Sequence, residues 1–193
     1  MFAALQATSL TLAGYLDSQF LAEPALSAVN VSLKTPAEMV KSHEQGLSLW
    51  LYQAQRDEQR LNLPAVRISA TELRPPPLPM RLHYLLTPIT DKRQGSPETE
   101  QLILGKVLQA FHTRPTLRGT DLAGVFEGTD AELQVRLEPL TLEEITRVSQ
   151  ALDESYQLSV SYEISLVDID SALQPESAAP VVVVLPDYGT IVG

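Results

Sequence analysis

The sequence predicts a single α+β domain, a mixed β-sheet with helices packed mainly on one face, followed by a C-terminal extended arm. Two kinds of observation predict it. Several segments alternate apolar and polar residues with the period of a strand, and between them lie segments that open with helix-start signals. The predicted order of elements is α, β, α, β, β, β, α, β, α, β, which favours one sheet covered by helices. At 193 residues the chain is long enough to bury a substantial core.

The first predicted element is an N-terminal amphipathic helix. Its apolar residues fall near one helical face; they are Phe2, Leu5, Leu12, Leu16 and Phe20. The segment has no basic residues ahead of its apolar run, and Asp17 interrupts that run. We therefore expect neither a signal peptide nor a membrane span here.

Two strands and a short helix are predicted next. Residues 28–33 indicate a short strand, and residues 47–52 a second strand that is buried on both faces or nearly so. Between them a TPAE motif starts a helix, with Thr35 as the cap and Glu38 returning a bond to it. Residues 53–62 are polar and charged, which predicts a hairpin tip or loop.

The middle of the chain predicts a long strand and a helix. The run RPPPLP at residues 74–79 must be extended, because proline biases the preceding residue away from helix. It leads into a strand at residues 80–89, whose core-facing residues are Leu82, Tyr84 and Leu86. A helix starts at Ser96 and ends before Pro115; its apolar stripe is Ile103, Val107, Ala110 and Phe111. Residues 118–130 predict a loop.

Residues 133–170 are the most regular part of the sequence. A short strand carrying Leu133, Val135 and Leu137 is followed by a helix that Thr141 and Glu144 start as a capping box. The residues expected to face inward from this helix are Leu142, Ile145, Val148 and Leu152. A long alternating strand follows, with Leu158, Val160, Tyr162, Ile164 and Leu166 toward the core. Its opposite face carries Ser159, Ser161, Glu163 and Ser165, which we expect to meet solvent or a partner.

The folded domain is predicted to span residues 1–171, and residues 172–193 to form a linker and a C-terminal β-arm. The arm contains an uncharged run that would aggregate as an open edge. It either docks on the chain's own sheet or adds a strand to a neighbouring subunit or partner. Its candidate binding residues are Val181, Val182, Val183, Val184, Leu185, Tyr188 and Ile191.

Composition narrows the class of partner. The formal net charge is −10 and no basic run occurs, so we expect neither nucleic-acid binding nor attraction to an anionic membrane. An acidic balance favours solubility and protein partners. The chain has no cysteine, which excludes disulfides, thiolate metal ligands and cysteine nucleophiles and fits a reducing compartment.

No residue pattern predicts catalysis. The three histidines are His43, His83 and His112, and no pair of them has metal-ligand spacing. We expect His83 to lie on a strand face opposite the core as a surface or interface residue, and His112 to lie near a helix C-terminus, where the dipole favours it. We expect no catalytic, cofactor-binding or metal site, and no enzyme.

Two further patterns have structural explanations. Asp168 and Asp170 share one face of a strand end, but two carboxylates are too few oxygen ligands for a cation site. The acidic pair Glu143 and Glu144 suits the first turn of a helix. Residues 76–81 match the P-x-x-P-x-R pattern of SH3 ligands, yet a stiff entry to the next strand explains the same prolines.

The order of several segments resembles one known family. These are LPMRLHYLLTPIT, LGKVLQAFH, LEPLTLEE and LSVSYEISLVDIDS, which lie between residues 78 and 171. They resemble the tail-terminator or cap proteins of extracellular contractile injection systems, of the antifeeding-prophage and virulence-cassette type. The earlier part fits mainly through LSLWLYQ. The family often has a tryptophan in the helix after the acidic pair, where this chain has Val148 or Ser149.

The resemblance implies a structural role. Members close the distal end of the inner tube and contractile sheath, as an expected homohexameric ring, with sheath and tube proteins as partners. Assembly in the cytoplasm into a phage-tail-like particle is expected, with no cofactor. On this view the arm and the Ser159–Ser165 polar face are candidate contacts between subunits. The alternative is an assembly chaperone or protein-binding module that does not remain in the particle.

Overall fold

The computed structural model describes residues 2–61, 64–90, 97–150 and 157–177. Four helices and nine strands are formed there, together with three short 3-10 turns. The helices are α1 (Ala4–Leu21), α2 (Pro36–Lys41), α3 (Pro97–Thr113) and α4 (Leu142–Gln150). The strands are β1 (Val31–Ser32), β2 (Gly46–Arg56), β3 (Val66–Arg67), β4 (Glu72–Arg74), β5 (Leu78–Ile89), β6 (Thr116–Arg118), β7 (Glu132–Glu138), β8 (Val160–Ile169) and β9 (Glu176–Ser177).

The main sheet has six strands in the order β1-β2-β5-β8-β7-β6. β1 pairs with β2 in parallel, with Val31 opposite Leu47, and the other pairs are antiparallel. The sheet is therefore mixed, as predicted. β5 and β8 lie at its centre, because β5 is flanked by β2 and β8, and β8 by β5 and β7.

The two long helices α1 and α3 cover one face of this sheet, which confirms the predicted α+β class. The core joins Leu12, Leu16 and Phe20 of α1 to the apolar face of β5, which carries Leu82, Tyr84 and Leu86 as predicted. From α3, Phe111 stacks on Tyr15 at 5.8 Å between ring centroids and meets Tyr162 of β8 edge-on at 4.9 Å. Aromatic pairs of this kind add to the burial energy of their rings.

Helix α1 differs from the amphipathic helix that the sequence predicts. Its buried side includes the polar residues Thr8, Ser9 and Thr11, whereas Phe2 is 96% exposed. Burying a hydroxyl is unfavourable unless it is hydrogen-bonded. Thr8 donates to the carbonyl of Ala4 at 2.9 Å, and Thr11 accepts from the backbone N–H of Ala123 at 3.0 Å. These local bonds allow polar residues to lie against the core.

A β-bulge changes the alternation predicted for β8. Leu166 has a φ of 66°, and the register of β8 against β5 shifts between Met80 and Leu82. An extra residue in one strand turns the next side chain to the other face. Val167 is therefore fully buried in the core where the alternation predicts Leu166. The predicted strand also starts later than expected, and Leu158 lies just before it, 41% exposed.

The short helix α2 lies toward the opposite face of the sheet. Ser48, whose side chain points away from the core, donates to the carbonyl of Lys34 at 2.7 Å, next to the start of α2. Both predicted capping boxes are present, at Thr35 with Glu38 and at Thr141 with Glu144.

The inward packing predicted for α4 is wrong in part. Leu142 is 65% exposed, and Ile145 and Val148 are only half-buried. Leu152 lies outside the described residues. Only Ser149 of this helix is fully buried.

Residues 66–74 and 176–177 form a second, three-stranded sheet that the sequence did not predict. Its order is β3-β4-β9, with Leu73 opposite Glu176. None of its strand residues is fully buried. β9 falls within the segment predicted to be a linker, although the domain boundary itself stays a prediction. β2 is longer than expected and runs to Arg56, so the loop predicted at residues 53–62 starts with strand.

Candidate interaction surfaces

A hydrogen-bonded polar network occupies the sheet face opposite the core. At its centre Glu138 of β7 accepts from Ser161 at 2.7 Å and from the phenol of Tyr52 at 3.1 Å. Its two carboxylate oxygens lie 3.1 and 3.2 Å from Nδ1 of His83. Each residue comes from a different strand, so a single carboxylate ties β2, β5, β8 and β7 together.

The polar residues predicted for β8 are engaged within the chain. Ser159 bonds to Thr87 at 2.8 Å, Glu163 lies 3.4 Å from Arg81, and the Ser165 hydroxyl donates to Gln134 at 3.4 Å. Ser161 is only 2% exposed, and Ser159 and Ser165 are also buried. The expectation that this face is solvated is therefore wrong. Its role as a subunit contact stays a prediction, and such a contact would have to replace these bonds.

His83 lies on the face predicted for it but is not a surface residue. It is buried, and its partner Glu138 is far away in the sequence. In the described part of the chain its Nε2 has no hydrogen-bond partner. His112, by contrast, is exposed at the end of α3, as the sequence predicts.

The electrostatics of this face are those of a buried structural network. Burial raises the pKa of Tyr52 to about 12, and the charges of Glu138 and Glu144 also raise it. Asp57 is 3% exposed and pairs with Arg81 at 3.0 Å. That bond holds the pKa of Arg81 above its ordinary value. The hydroxyl of Ser161 is buried and donates to Glu138, so it is not accessible to a substrate as a nucleophile.

The carboxylates considered for a metal have other partners. Asp168 accepts a bidentate pair of bonds from Arg60 at 2.8 and 3.1 Å. Such fork-shaped pairing is among the stronger charge-assisted interactions. Within the ranges that the structure describes, no group of three or more potential ligands is suited to a metal ion.

The proline segment belongs to the fold. Residue Pro79 is buried in β5, and Arg81 is held by Asp57 and Glu163. An SH3-type ligand needs these residues exposed and extended. The structural explanation of the P-x-x-P-x-R pattern is thus the better one.

An open apolar groove lies on the core side, between α3 and strands β7 and β8. Its volume is about 720 Å³. Its floor includes Val135 and Tyr162, and Leu137 at its margin is 55% exposed. The sequence places Leu137 on the same strand face as Leu133 and Val135, which are buried, but alternation does not show how far the covering helix extends. The other lining residues are Leu108, Gln109, Phe111, His112 and Pro115.

The predicted arm residues, Val181 to Leu185 with Tyr188 and Ile191, lie outside the described residues. None of the helices in the described ranges has the length and hydropathy to cross a membrane.

Solved structures share this fold. The sheath/tube terminator of the extracellular contractile injection system PVC, in its extended state, matches 95% of this chain and 64% of its own length, with a TM-score of 0.62 and 18% identity. The tube terminating cap of the anti-feeding prophage matches over 90% of this chain and 59% of its own, with a TM-score of 0.63 and 18% identity. The chain therefore spans about three fifths of the length of these structures. No curated protein sequence matches it.

The fold is thus the one seen in these two terminator structures. The chain belongs to the family described as the Pvc16 N-terminal domain, whose model matches residues 7–183. The family resemblance read from residues 78–171 is confirmed, and it extends well before Leu78.

Proposed function

We propose that this protein is a structural cap that terminates the inner tube and contractile sheath of a phage-tail-like injection particle. The observation that carries the proposal is the family match over residues 7–183, together with a fold shared with two terminators over most of the chain. The first proposed partner is a second copy of the chain, in a homohexameric ring. Sheath and tube proteins of the same particle are the others.

The physical features of the chain support this proposal. A ring of identical subunits uses two different surface patches of each copy, and the rotation between copies must close to avoid an open filament. The described surface carries exposed apolar residues suited to such contacts; they include Leu102, Leu137, Leu142 and Leu158. A net charge of −10 makes copies repel at long range, and apolar contacts between them do not add to that repulsion.

The arm is proposed to attach the cap by strand addition. Backbone hydrogen bonds to the partner's sheet would supply the affinity of this contact. The alternating side chains of residues 181–185 would supply its specificity. We propose that the cap assembles in the cytoplasm as part of a particle that is either released from the cell or retained in it.

Deletion of the gene tests the function. We expect particles whose tubes and sheaths vary widely in length, and restored uniform length when the full chain is supplied. Truncation after Ser177, which keeps β9, should leave the domain folded and impair attachment. Uniform particles without the chain would contradict the proposal. A chain needed for assembly but absent from purified particles would favour the alternative, a chaperone.

A further inference from the structure

We draw no further inference here: the strongest candidate, the open apolar groove between α3 and strands β7 and β8, carries none because nothing in the part of the chain that the structure describes shows what covers it.

Discussion

His83 and Glu138 contact each other across the strand that separates β5 from β7. The imidazole Nδ1 lies 3.1 Å from one carboxylate oxygen and 3.2 Å from the other, although the two residues are 55 positions apart in the chain. Ser161 of the intervening strand β8 donates to the same carboxylate. Loss of Glu138 would remove the partner of His83 Nδ1, whereas Tyr52 and Ser161 would keep their bond to each other at 3.1 Å.

Glu138→Gln tests the network. The substitution removes the charge that accepts the bonds of Tyr52, Ser161 and His83, so we expect the free energy of unfolding to fall by about 1–3 kcal/mol. Urea denaturation measures it. Glu132→Gln is the matched control, because Glu132 lies on the same face of β7 in an exposed pair with Arg118. It should cost less than about 0.5 kcal/mol, and equal losses for both variants would show that the network contributes nothing special.

Buried tyrosines predict a loss of stability at alkaline pH. Burial raises the pKa of Tyr84 and of Tyr162 to about 12, from an ordinary value of 10.0. The folded state holds these protons more tightly than the unfolded state does, so the stabilisation is complete below pH 10 and is lost as the pH rises from 10 to about 12. The ultraviolet absorbance of phenolate, followed with circular dichroism, should show these groups ionising together with unfolding.

Tyr162→Phe tests the loss of stability between pH 10 and about 12. It keeps the ring that packs on Phe111 and removes only the ionisable hydroxyl. The loss of stability between pH 10 and about 12 should become shallower than in the natural protein. An unchanged slope would mean that Tyr162 ionises without penalty in the folded state.

Replacing either of two glycines with alanine should change the stability of the protein, and the two changes should have opposite signs. Gly46 has a φ of 141°, and a Cβ there would overlap the carbonyl oxygen of Asn30, which bonds to Leu47 where β1 meets β2. Gly46→Ala should cost about 3 kcal/mol. Gly105 lies inside α3 with open space around it, so Gly105→Ala should stabilise by about 0.5–1 kcal/mol. Thermal unfolding measures both, and a stabilising Gly46→Ala would contradict the described junction.

The bulge in β8 predicts that the fold tolerates glycine in place of Leu166. Leu166 is half-buried with a φ of 66°, a conformation that suits glycine better than leucine. Relief of that backbone strain offsets the lost packing, so Leu166→Gly should change the free energy of unfolding by less than about 1 kcal/mol. Ile164→Gly, two residues earlier and fully buried, should cost about 4 kcal/mol or more. Similar losses at both positions would argue against the bulge.

Local patterns in the sequence predicted the parts of the fold that local physics determines. The capping boxes at Thr35 and Thr141 formed because hydroxyl and carboxylate lie three residues apart, a spacing that one turn of helix satisfies. The core face of β5, with Leu82 and Tyr84, followed from alternation. The family resemblance rested on the order of such segments.

The sequence did not predict contacts between residues that lie far apart in the chain. Nothing in the sequence near His83 indicates that Glu138 will lie beside it, because their meeting depends on the strand order β5-β8-β7. The bulge at Leu166 has no glycine to signal it. The second sheet unites strands of two and three residues, β9 among them, that are too short to show any period.

The most direct test of the cap function is the position of this chain in the particle. Particles purified from cells that produce the chain with an added affinity label would be imaged by cryo-electron microscopy with a label-specific probe. The proposal predicts probe density at one end of each particle, on the last ring of tube and sheath, and nowhere along the shaft. Density distributed along the shaft, or purified particles that lack the chain entirely, would contradict it.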